Sequence, residues 1–262
     1  MAPHIAHLLL ASTLLVLNKE DATLVMLDPD SGKLGGTVQT GEGPHEIAAS
    51  KDGRFAYVGN YGTGQKPGSS LSIVDLRSKT EKRIDVSPLQ RPHGITVGVD
   101  NKVYFTAEGN KTVARLDPAT GKVDEQYPTA QTGTHMVLFT PDGSRMITAN
   151  IGSDCISILR PGGQPLHIQT GKGPEGLDIS PNGKEIWVAN SRGGSITVVD
   201  LAKNEATTTF DIGTQRSNRI KFSGDGRSRS YRTSRLESWL LSMCRVEKSS
   251  SELMSAARPK ES

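Results

Sequence analysis

Apolar residues along this chain come in short runs, often alternating with polar ones, and Gly, Pro, Asn or Asp closes nearly every run. Leu71-Ser-Ile-Val-Asp75 and Ser195-Ile-Thr-Val-Val-Asp200 are rich in β-branched residues and partly alternating, which predicts strands. Turn chemistry follows the strand ends. In Asp28-Pro-Asp-Ser-Gly-Lys33 and Asp117-Pro-Ala-Thr-Gly-Lys122, Pro presets φ and Gly accepts a positive φ. Pro141-Asp-Gly143 and Pro181-Asn-Gly183 mark hairpins. No run carries a helix-length period.

The runs repeat. An Asn closes one strand at Asn18, Asn60, Asn150 and Asn190, with Ala107 in the same place between them. A second marker closes the next strand at Asp28, Asp75, Asp117, Arg160 and Asp200. Both advance in steps of 40 to 47 residues, and one mismatch is absorbed by Gly62 to Ser70, read as a loop insertion. Each period holds four short strands, and four strands per period of about 40–45 residues is the signature of a β-propeller blade. A sheet that small cannot hide both faces, so blades must stack around an axis. The second to fourth strands fall near 14–40, 55–86, 103–128, 146–169 and 186–212, and first strands begin near 45, 93, 135, 175 and 218. The expected fold is therefore all-β: a propeller of four-stranded antiparallel blades, about five of them encoded, followed by an irregular C-terminal tail.

Tyr57-Val-Gly-Asn60, Pro-Asp-Gly and Gly43-Pro-His45 together resemble the YVTN family of 40-residue β-propeller repeats. The resemblance spans about residues 14 to 227. It implies kinship with lactonase-type propellers and with the propeller domains of nitrite reductase and quinoprotein amine dehydrogenases. It also implies seven blades, an innermost first strand, and a periplasmic, secreted or cell-surface location.

Composition alters this picture mainly at the ends. The 28 Gly and 14 Pro among 262 residues suit short strands and many turns. The net charge of +3 arises in the tail, so a nucleic-acid partner is not expected. Residues 1–12 read as an export-signal remnant or an unstructured leader, 13–227 as the propeller, and 228–262 as a Ser/Arg-rich tail. The apolar stretch Ile5 to Leu17 lacks a basic leader and is shorter than the roughly 20 residues of a membrane span, so no transmembrane segment is expected. After Ser223-Gly-Asp-Gly-Arg227 the repeat stops, as if a longer propeller were truncated or frameshifted there; a genuine partner-binding tail is the alternative. Cys155 takes a slot held elsewhere by Thr23, Thr112 and Ser195, and with Cys244 it makes neither a disulfide framework nor a metal motif.

One side-chain slot stands out as candidate chemistry. His45, His93, His135, Glu175 and Asn218 occupy the same repeat position, and the resemblance places them near one mouth of the central channel. Neutral imidazoles beside a carboxylate suit a ligand site, and His45, His93 and His135 suit a divalent metal; no other cofactor is expected. The competing expectation is that each His shares strand parity with the buried residue two positions on and packs between blades. Lys66, Glu108, Asp154 and Arg192 are expected on loops at the same face. The strand-ending Asn and Asp residues read as turn chemistry, because they recur once per blade instead of converging. No phosphate-cradling Gly loop and no Gly-x-Ser-x-Gly elbow is present. The sequence thus favours a non-enzymatic propeller scaffold that binds a protein or small-molecule ligand at one face. The alternative is a lactonase-like hydrolase, or a metal or redox enzyme, acting at the channel mouth.

Overall fold

The structure is a computed structural model, and it describes residues 12–213, 216–223, 229–233 and 239–242. The expected export-signal stretch falls almost wholly outside the described residues, as does Cys244.

Among the described residues, twenty-two strands form six antiparallel sheets in chain order, giving the expected all-β propeller. The first sheet has three strands: β1 Leu14–Asn18, β2 Thr23–Leu27 and β3 Leu34–Gln39. Four complete four-stranded blades follow. They comprise β4 Pro44–Ala49, β5 Phe55–Gly62, β6 Pro67–Asp75 and β7 Thr80–Asp85; β8 Pro92–Val97, β9 Val103–Ala107, β10 Thr112–Asp117 and β11 Lys122–Pro128; β12 Thr134–Phe139, β13 Met146–Asn150, β14 Cys155–Leu159 and β15 Leu166–Gln169; and β16 Pro174–Ile179, β17 Glu185–Asn190, β18 Ser195–Asp200 and β19 Glu205–Asp211. The last sheet is β20 Ser217–Phe222, β21 Arg229–Thr233 and β22 Trp239–Ser242.

The first strands β4, β8, β12, β16 and β20 touch one another in sequence, so they line the axis. Alternation does the rest. On β5, Ala56 and Val58 face the core shared with the first sheet, while Tyr57 faces the core shared with the next blade. On β17, Ile186 and Val188 serve one core and Trp187 and Ala189 the other. Five such cores are sandwiched between successive sheets. Phe105, Leu71, Ile147 and Ile156 are fully buried in them, each stabilising by about 1.5–3 kcal/mol.

Two regions depart from the sequence reading. The expected loop insertion is mostly strand: β5 and β6 extend into a long hairpin closed by a bond from Thr63 N–H to the Lys66 carbonyl at 2.8 Å. The added residues pair across the hairpin with a bulge between Asn60 and Gly62, where the Tyr61 and Gly62 N–H groups donate instead to the Gly43 and Glu42 carbonyls. Within the tail, Arg229–Thr233 and Trp239–Ser242 are strands that continue the β20 sheet. Among the described residues, no helix is long and apolar enough to cross a membrane.

Candidate functional site

The five slot residues are each the second residue of an axial strand: His45 in β4, His93 in β8, His135 in β12, Glu175 in β16 and Asn218 in β20. Every one of these strands breaks register at that point. Pairing slips between Pro44 and Ile47, Pro92 and Ile95, Thr134 and Met136, Pro174 and Gly176, and Ser217 and Arg219. One extra residue per strand is a β-bulge, which re-aims a side chain out of the ladder's alternation. The parity argument for plain packing between blades therefore does not hold across the slot.

A repeated loop contact holds the mouth. The residue after the strand-ending position donates its N–H to a carbonyl just before the axial strand: Tyr61 to Gly43, Glu108 to Arg91, Ile151 to Gly133 and Ser191 to Gly173. All four acceptor residues have positive φ. The loops expected to share this face do share it. Nearer the axis, Thr106 Oγ1 accepts from Gly94 N–H at 2.8 Å and donates to the His135 carbonyl at 2.7 Å, tying β8 to β12 at the slot.

The three imidazoles form a contiguous stack. Ring centroids lie 4.2 Å apart for His45 and His93 and 3.6 Å apart for His93 and His135. Tyr61 stands edge-on to His45 and His93 and donates its hydroxyl to Glu108 Oε2 at 2.9 Å. Two cations lie over the Tyr61 ring, Arg91 at 4.9 Å and Lys19 at 5.7 Å. His135 sits between two carboxylates, with Nδ1 3.6 Å from Glu108 and Nε2 3.9 Å from Glu175. Both distances are slightly long for hydrogen bonds. Arg219 reaches Glu175 at 3.8 Å and donates to Glu46 on β4. Both ring nitrogens of His93 and of His135 are buried without a hydrogen bond, as is Asn218 Oδ1.

Burial dominates the electrostatics. It lowers His45 to about 4, with Lys19 adding to the effect, and holds His93 well below the usual imidazole range, with His135 and His45 adding. Both rings are therefore neutral near pH 7. For Glu108, burial pushes upward, but His135, the Tyr61 hydroxyl and Arg91 outweigh it and keep the carboxyl below its ordinary value.

The other expected rim residues are placed differently. Asp154 and Arg192 pair with each other at 2.6 Å on the exposed rim, and Asp154 also accepts from Gly173 N–H. Lys66 lies in the exposed hairpin turn. Glu46, Tyr61, Arg91 and Arg219 escaped the sequence reading. Glu46 and Arg219 directly follow slot residues, and the bulges that bring them to the mouth arise from strand pairing, which leaves no local signal in the sequence. Of the donor atoms in the stack, those of His45, His93 and Glu46 converge to within 4.8 Å of one another.

Residues 11–227 match the family described as lactonase, 7-bladed beta-propeller. The chain belongs to that lactonase propeller family. No curated protein matches it. Among solved structures, hydrazine synthase of Kuenenia stuttgartiensis superposes with a TM-score of 0.59 at 17% identity, over 90% of this chain and 93% of that one. Streptogramin B lyase superposes with a TM-score of 0.68 at 19% identity, over 84% and 76%. At such identities the likeness speaks for the fold alone. In this lactonase propeller, the stack of imidazoles and carboxylates lies on the axial strands of successive blades, where side chains from distant parts of the sequence can meet.

Proposed function

We propose that the channel mouth binds a small polar ligand and hydrolyses a cyclic ester there. The observation that carries this reading is His135, held between Glu108 and Glu175 with Arg219 beside the second carboxylate. An imidazole flanked by carboxylates is equipped as a general base: their negative charge stabilises the imidazolium that forms. Water gives a proton to His135 while its oxygen attacks the ring carbonyl carbon. The oxyanion develops toward Arg219. The ring C–O bond then breaks, the departing alkoxide takes the proton back from His135, and a hydroxy acid leaves. Membership of the lactonase family agrees with this chemistry.

The test is hydrolysis of a panel of five- and six-membered lactones followed by pH-stat, using the full chain. Turnover above buffer is expected, and His135→Ala is expected to lower it roughly 10²- to 10⁴-fold. No turnover on any lactone overturns the hydrolytic reading. A second reading, ligand binding without chemistry, is favoured by the buried unpaired nitrogens of His93 and His135 and by Asn218 Oδ1, polar atoms that a bound ligand would satisfy. Saturable binding of a lactone or hydroxy acid without turnover supports it.

A further inference from the structure

We infer that His45, Glu46 and His93 form a site for a divalent first-row transition-metal ion at the axis of the propeller. The donor atoms of these three residues already lie within 4.8 Å of one another, on the adjacent axial strands β4 and β8. Zinc sits about 2.1 Å from nitrogen or oxygen donors, which places tetrahedral ligands about 3.4 Å apart. Closing the site therefore asks for movements of roughly an ångström, within the reach of side-chain torsions.

His93 supplies the independent observation. It is 1% exposed, and neither of its ring nitrogens has a hydrogen bond. A buried imidazole without partners is costly, because the lone pair and the N–H have lost water and gained nothing. A metal on one nitrogen removes that cost. One oxygen of Glu46 accepts from Arg219, and a carboxylate has a second oxygen to offer. Two imidazoles and one carboxylate suit zinc or iron(II) and leave coordination positions open toward the channel. The donor set differs from the three histidines read from the sequence: the rings of His93 and His135 pack against each other tilted by 32°, whereas Glu46 comes from the bulge itself.

The inference stands apart from ester hydrolysis. A bound metal without lactone turnover sinks only the hydrolytic reading, whereas turnover by protein that takes up no metal sinks only this one. The test strips the full chain with a chelator and titrates it with Zn²⁺ alone by calorimetry. A parallel Co²⁺ titration reads ligand-field absorption. One equivalent is expected, with a rise in Tm of about 5–10 °C at hundredfold excess over Kd. Glu46→Gln and His93→Ala should each weaken binding at least about tenfold. Exposed His167, on β15, controls for casual surface binding, and His167→Ala should leave the single tight site intact. If His93→Ala does not fold, Glu46→Gln decides. Absence of stoichiometric uptake, or uptake undiminished in Glu46→Gln, overturns the site.

Discussion

Asn150 shows how one residue type holds a blade together. Fully buried, it donates Nδ2 to Ser157 Oγ at 2.8 Å and to Cys155 Sγ at 3.5 Å, and accepts from Thr148 Oγ1 at 3.2 Å. Asn190 donates in the same way to Ser195 and Thr197, and Asn60 to Ser70 and Ser72. The exception explains itself: where Ala107 replaces Asn, the strand position that carries Ser157 or Thr197 elsewhere holds Ala114, so no hydroxyl is left waiting. Asn150→Ala should therefore cost about 1–3 kcal/mol in urea unfolding, because buried donors and acceptors lose their partner. Asn150→Ala combined with Ser157→Ala should cost less than the two single changes added together, approaching the natural alanine pair. A fully additive double variant would show that the hub is not a unit. Each Asn was legible in the sequence as structural, but as the cap of a turn; that its side chain spans the hairpin to a hydroxyl two strand positions deep follows only from register.

At the scale of the element, turn and bulge divide the work. Thr140, Asp142 and Ser144 make one β-turn: the Thr140 hydroxyl donates to Asp142 at 2.5 Å, and Ser144 donates through its N–H and hydroxyl. Those donors, the Thr140 hydroxyl first, lower Asp142 to about 2. A depressed carboxyl stabilises the fold above its unfolded pKa, and that contribution fades as pH falls from about 4 through about 2. In the next blade Asn182 holds the same place with the same partners, from the Ser180 hydroxyl and Lys184 N–H. Asp142→Asn should thus keep the turn, lower Tm slightly at pH 7, and show a much smaller deficit near pH 2. A deficit of equal size at both pH values would mean the charge does not matter. The turns were readable because Pro, Gly and Asp act locally. The bulges were not, because a one-residue slip is a property of two strands. Gly94 carries the same lesson: a Cβ there would lie 2.7 Å from the His135 carbonyl oxygen and the Met136 Cα, so its glycine is set by the neighbouring blade's backbone.

For the whole molecule, the repeat period announced the blades and their stacking, and the structure adds that strands such as β5 and β17 each feed two cores. What the period could not announce was which residues meet across the axis, since a contact between β4 and β20 joins residues 173 apart. Arg219 makes that contact, donating to Glu46 while facing Glu175, with both partners of the pair three-quarters or more buried. The pair thus couples the first complete blade to the last sheet, two elements that neighbouring-blade packing connects only through three others. Its energy should appear as coupling. In a double-mutant cycle of Arg219→Met and Glu46→Gln, run with chelator present so that metal at Glu46 contributes nothing, the interaction should be about 1–3 kcal/mol. Each single change should cost more than the pair of changes predicts, because each leaves a partly buried charge without its partner. If the coupling falls within about 0.3 kcal/mol of zero, the first complete blade and the last sheet are held by the intervening blades alone, and the axial site is shaped by packing and not by the ion pair that crosses it.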